Sequence, residues 1–69
     1  MNIQYTSHAE YQLQERKAEK HWVEETINSP DITKNFGNKV YVVKKLNGKT
    51  LKVVYVRQNY IKVITLYWI

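Results

Sequence analysis

No cysteine occurs among the 69 residues. That excludes disulfide bonds and thiolate metal sites as sources of stability. The two histidines, His8 and His21, give no metal-ligand spacing, so no metal or other cofactor is expected. Proline occurs once and glycine twice, so each of these residues marks a break in regular structure. No apolar run approaches the roughly 18–20 residues of a membrane span. The opening Met-Asn-Ile-Gln-Tyr-Thr lacks the charged start and apolar core of a signal peptide, and the expected compartment is the cytoplasm. Acidic residues are also missing from the second half. All six (Glu10, Glu15, Glu19, Glu24, Glu25, Asp31) precede Lys34.

What remains is a short, basic chain of +5 net charge, expected to form a single domain over residues 1–69. A domain of this size buries only about 60% of its unfolded surface. A partner chain or a homodimer is a natural source of the missing stability. From Lys34 onward there are Lys34, Lys39, Lys44, Lys45, Lys49, Lys52, Arg57 and Lys62 with no acid to balance them. Such an excess attracts polyanions. The plainer reading is that lysines on sheet edges discourage strand-to-strand aggregation.

Residues 39–69 organise the chain. Lys39–Leu46, Lys49–Arg57 and Tyr60–Ile69 are rich in Val, Ile, Tyr, Thr and Leu, which favour strands. Asn47-Gly48 between the first two is a strong hairpin signal, because a type I′ turn needs positive φ at both central residues. With Gln58-Asn59 as a second two-residue turn, a three-stranded antiparallel meander follows. One face then collects Val40, Val42, Leu46, Leu51, Val53, Tyr55, Ile64, Leu66 and Trp68. The other carries Tyr41, Val43, Lys45, Thr50, Lys52, Val54, Val56, Ile61, Val63, Thr65 and Tyr67. A one-residue slip at the second turn would exchange the faces of the last strand.

The first 38 residues supply what covers the meander. Asn2–Tyr5 reads as a short strand. Ser7 and Glu10 fit a capping box opening a helix to about Lys17, with Ala9 and Leu13 on its buried stripe, flanked by Tyr11 or the Lys17 stem. His8, Gln12 and Arg16 align at i, i+4, i+8 along one side of it. A second helix runs from about Glu19 to Asn28 around Val23 and Ile27, and Ser29-Pro30 ends it. Asp31–Asn38 reads as a polar connection. The expected order is β-α-α-β-β-β, an α+β domain with both helices on one sheet face.

Ser7-His8-Ala9, Gln12-Leu13 and Glu15-Arg16, the helix ending at Pro30, and Val63-Ile64-Thr65-Leu66-Tyr67 resemble a bacterial and archaeal family, domain of unknown function 4258. Its motif runs roughly His-Ala-x-x-Arg-Met-x-x-Arg, then a short helix ending in Pro, then strands closing in Val-(Val/Ile)-Thr-(Val/Leu)-Tyr. The similarity spans nearly the whole chain. Gln12 stands where the family has its first arginine, which leaves Arg16 as the arginine carried over. That family is similar, more distantly, to the small basic RelE/ParE-like toxins, whose architecture is also β-α-α-β-β-β. RelE-type members cleave mRNA at the ribosome and ParE-like members act on gyrase. The resemblance implies a toxin-like, metal-independent endoribonuclease held by an antitoxin protein, acting on RNA or at the ribosome.

Such cleavage needs a proton donor and acceptor, and cations for the charge that builds on phosphorus. His8 suits the first role and Arg16 the second, with Tyr67 as a further catalytic candidate. Lys45, Lys52, Arg57 and Thr65 are the candidate nucleic-acid contacts, and Tyr41, Tyr55 and Tyr67 can stack on bases. Each also has an ordinary structural role open to it. His8 can be a first-turn residue with a local hydrogen bond. Arg16 can pair with Glu15, Glu19 or Glu24. Arg57 can be a solvated charge beside a turn, and Thr65 and Tyr67 can be sheet packing. The alternative function is a non-catalytic module that binds nucleic acid or protein through the basic sheet.

Overall fold

The computed structural model describes residues 2–69. Strand β1 (Ile3–Tyr5) leads into helix α1 (Ser7–Glu15) and helix α2 (Lys20–Asn28). Four strands follow: β2 (Ile32–Phe36), β3 (Lys39–Leu46), β4 (Lys49–Arg57) and β5 (Ile61–Trp68). They form one sheet of order β1-β5-β4-β3-β2. β1 lies parallel to β5, and the other neighbours are antiparallel. α1 packs on β5 and β1, and α2 on β4 and β3. The class is α+β as expected, with one strand more than the sequence suggested. The segment read as a polar connection contains β2, so the sheet begins at Ile32 rather than at residue 39.

The first expected hairpin holds residue for residue. Val42 faces Val53, Val40 faces Tyr55 and Leu46 faces Lys49. Asn47 and Gly48 both take positive φ, 51° and 83°, which matches the right-handed twist of the flanking strands. A second tight hairpin joins β2 to β3. Phe36 faces Lys39 across Gly37-Asn38, and Gly37 has φ 63°.

The turn before β5 differs. It holds three residues, Gln58, Asn59 and Tyr60, closed by Arg57 opposite Ile61. That extra residue exchanges the faces at the start of β5, so Ile61 and Val63 enter the core rather than the opposite face. A bulge then intervenes. Tyr55 pairs with Val63 but Val54 pairs with Thr65, leaving Ile64 as the surplus residue. The second shift undoes the first, so Leu66 and Trp68 face the helices as expected while Ile64 stays half-buried outside the core.

The helix ends have local causes. Thr6, not Ser7, caps α1. Its backbone is extended (φ −67°, ψ 164°) and its hydroxyl accepts from the Ala9 N–H at 3.0 Å. The same hydroxyl donates to the Ile64 carbonyl at 3.1 Å. α1 ends at Glu15 because Lys17 turns left-handed (φ 52°). The Ala18 N–H then bonds the Leu13 carbonyl at 2.9 Å and the Lys17 N–H the Gln14 carbonyl at 3.3 Å. This is a Schellman closure, and Leu13 and Ala18 both join the core. Tyr11 is exposed and takes no part in the buried stripe. The core groups Ala9, Leu13, Val23 and Ile27 with Val42, Leu51, Val53, Val63 and Leu66.

Candidate nucleic-acid interface

Alternation along the strands leaves one sheet face without helices. Pairing places Ile32, Val43, Lys52 and Tyr67 in one row across four strands, and Lys34, Tyr41, Val54 and Thr65 in the next. Phe36, Lys39, Val56 and Lys62 form a third, and Lys45 stands opposite Thr50. Five lysines (Lys34, Lys39, Lys45, Lys52, Lys62) therefore share this face, and none of the strands carries an Asp or Glu.

The floor beneath the lysines is apolar. Val54 and Val56 are only 6% and 8% exposed although no helix covers them. Aromatic rings surround them. Lys52 Nζ lies 5.3 Å from the centre of the Tyr41 ring and 5.7 Å from that of Tyr67, both within cation–π range. Phe36 meets Tyr41 edge to face, centres 5.3 Å apart at 89°. A shallow concavity of about 560 Å³ runs across this surface between Ile32, Phe36, Tyr41, Lys52 and Ile69. Ile32, Phe36 and Ile69 are all more than half exposed.

The structure sorts the expected site residues. Lys45, Lys52, Thr65 and Tyr67 lie on the helix-free face. Arg57 does not. It pairs with Ile61 on the helix side, its guanidinium 5.9 Å from the Tyr55 ring centre and its Nη2 donating to the Tyr55 hydroxyl at 3.1 Å. Tyr55 is buried, so it offers no ring for stacking. Lys44 is also on the helix side, donating to the Ser29 carbonyl at 2.8 Å with Asp31 at 3.9 Å.

His8 reaches the margin of the open face. β1 covers β5 only from Ile61 to Val63, so α1 starts where the β5 edge becomes free. There His8 Nε2 and Thr65 Oγ1 are hydrogen-bonded at 3.1 Å. Arg16 sits at the other end of α1, where its carbonyl accepts from the Trp68 indole at 2.7 Å. Trp68 points to the helix side, opposite to Tyr67. His8 thus joins Thr65 and Tyr67 joins Lys52, while no hydrogen bond among the described residues ties the Arg16 side chain to either. Its expected alternative is not met either: among the described residues the acidic side chains meet Lys20 (Glu10), His21 (Glu19) and Lys44 (Asp31), and none meets Arg16.

Lys34 and Phe36 were not anticipated, because β2 was not. Their signal is Gly37-Asn38, a turn pair that supports a hairpin when apolar residues alternate before it. Among the described residues no three His, Cys, Asp or Glu side chains cluster closely enough to hold a metal. No helix among the described residues is long and apolar enough to cross a membrane.

Fold and face together define a small α+β protein whose helices cover one side of a sheet and whose other side presents lysines among aromatic rings. The chain belongs to the family described as domain of unknown function (DUF4258), whose model matches residues 5–68. No curated protein matches it. No solved structure matches it either.

Proposed function

We propose that the chain binds single-stranded RNA on the helix-free face of its sheet. One observation carries the reading: five lysines and the rings of Phe36, Tyr41 and Tyr67 share that face, and the strands that form it carry no Asp or Glu. Lysines draw the phosphate backbone, and aromatic faces stack on unpaired bases. Val54 and Val56 supply a buried apolar floor on the same face. The test is anisotropy of a labelled single-stranded RNA across a salt series. With all five lysines on phosphates, log K should fall with log salt with a slope of about 3.5, at about 0.7 per contact. Charge reversal at Lys45 and Lys52 together should remove more than a third of that slope, and Arg57→Ala should leave it unchanged. Absence of binding at low salt would refute the proposal.

A second reading is toxin-like, metal-independent cleavage of the bound RNA, restrained in the cell by an acidic antitoxin partner. The His8–Thr65 contact favours it, because it puts an imidazole at the edge of the basic face. On this reading His8→Ala keeps RNA affinity and loses both cleavage and the growth arrest caused by induced expression. RNA left intact by the parent protein would set cleavage aside without touching the binding proposal.

A further inference from the structure

The chain has two tryptophans, and the fold brings both to one pocket on the helix side of the sheet, away from Lys52 and Tyr67. Lys17, Trp22, Leu46, Asn47, Lys49 and Trp68 line a space of about 240 Å³. The indoles meet edge to face, centres 5.8 Å apart at 70°. Both are half-buried and rest against the core without closing over it.

Each wall is held by backbone already described. Trp68 is oriented by its N–H bond to the Arg16 carbonyl. Lys17 is presented by the left-handed turn that ends α1. Asn47 sits in the type I′ turn, and Lys49 follows it with Nζ 5.6 Å from the Trp68 ring centre. The lining contains two cations, one side-chain amide and no acid.

We propose that this pocket binds a phosphorylated nucleoside: one base against the tryptophans, its phosphate between Lys17 and Lys49. The chemistry of the lining selects the class. Indole faces take up a flat aromatic ring, the Asn47 amide can both donate to and accept from a base edge, and two ammonium groups demand an anion. Size limits it further. A pocket for a drug-sized ligand runs from about 300 Å³ upward, so this one holds a single base rather than a dinucleotide. Two sources supply such a group: a free mononucleotide, or the phosphorylated end of an RNA strand. The strand-end source connects with the open face, since Lys45 and Leu46 are consecutive and point to opposite sides of β3. The free-nucleotide source stands whether or not the open face binds RNA.

Because every tryptophan of the chain lies at the pocket, its intrinsic fluorescence reports occupancy directly. The intact protein is titrated with AMP, adenosine and inorganic phosphate, then with RNA hexamers carrying a 5′-phosphate or a 5′-hydroxyl. Saturable quenching by AMP is expected, with adenosine weaker by about a hundredfold from the loss of two charge-assisted contacts at about tenfold each. Lys17→Ala and Lys49→Ala should each weaken AMP by about tenfold while leaving the melting temperature unchanged, and Arg57→Ala should leave AMP affinity unchanged. AMP binding without any preference between the hexamers identifies the free nucleotide as the source. Preference for the 5′-phosphorylated hexamer without AMP binding identifies the strand end. The proposal is overturned if neither AMP nor the 5′-phosphorylated hexamer quenches saturably at millimolar concentration. It is equally overturned if quenching persists undiminished in both lysine variants.

Discussion

Thr6→Ala should destabilise this protein far more than a half-buried threonine at the margin of a small sheet suggests. The Thr6 hydroxyl serves two partners at once, accepting from the Ala9 N–H at 3.0 Å and donating to the Ile64 carbonyl at 3.1 Å. Losing a threonine N-cap costs about 1 kcal/mol. Losing the second hydrogen bond adds about another 1 kcal/mol. For a domain of this size each kcal/mol lowers the melting temperature by about 4–8 °C, so thermal unfolding followed by circular dichroism should show a drop of about 10–15 °C. Thr6→Ser keeps the hydroxyl and should restore most of the loss. Ser7 is exposed and lies one residue inside the helix, so Ser7→Ala should change stability by no more than about 0.5 kcal/mol. If the Ser7 variant melts as low as the Thr6 variant, the cap is misplaced and the tie between α1 and the β5 bulge with it.

The bulge makes a second prediction. Leu66→Ala, at a fully buried position, should cost about 2–5 kcal/mol, while Ile64→Ala at the half-buried surplus position should cost clearly less; equal losses in urea unfolding would refute the register. Tyr5 supplies a pH dependence. Its hydroxyl is buried without a partner, and burial, reinforced by Glu24 and Glu10, pushes its pKa up to about 12. Because the unfolded tyrosine ionises near its ordinary value of about 10, the stability linked to Tyr5 is full below that pH and is lost as pH rises toward the folded value. Tyr5→Phe should therefore flatten the fall in urea midpoint over that alkaline window, and a parallel fall in parent and variant would refute the assignment.

The residues show why some of this was readable in advance. Asn47-Gly48 is a strong local signal, and the register it set held along all of β3 and β4. Ala9, Leu13, Val23 and Ile27 follow helical spacing and lie in the core as that spacing required. β2 escaped because its five residues are all exposed and mostly polar, which left the Gly37-Asn38 turn pair as its signal. The start of β5 escaped because Gln58, Asn59 and Tyr60 carry no turn chemistry that fixes a loop length. The error in faces was halved only by a bulge that no sequence rule announces. At the candidate interface, strand parity placed Lys45, Lys52, Thr65 and Tyr67 together. Arg57 follows the same parity to the opposite side. That His8 meets Thr65 depends on where β1 stops covering β5, a property of the tertiary structure alone.

The parallel pairing of β1 with β5 also bears on how this chain folds. Ile3–Tyr5 can pair only once Ile61–Val63 are in place. The contacts that seat α1 (Thr6 with Ile64, His8 with Thr65, Trp68 with Arg16) span 58, 57 and 52 residues. Loop closure of that length is unfavourable until many contacts form together, so folding slows as the mean sequence separation of contacts rises. The two tight hairpins, β2–β3 and β3–β4, need no such closure and are free to form first. The basic face spans both of them, and Lys34, Tyr41, Lys45 and Lys52 all belong to these two hairpins. His8 reaches that face only when α1 is docked on β5. A chain in which α1 has not docked on β5 therefore carries the lysine-rich surface but no imidazole beside it.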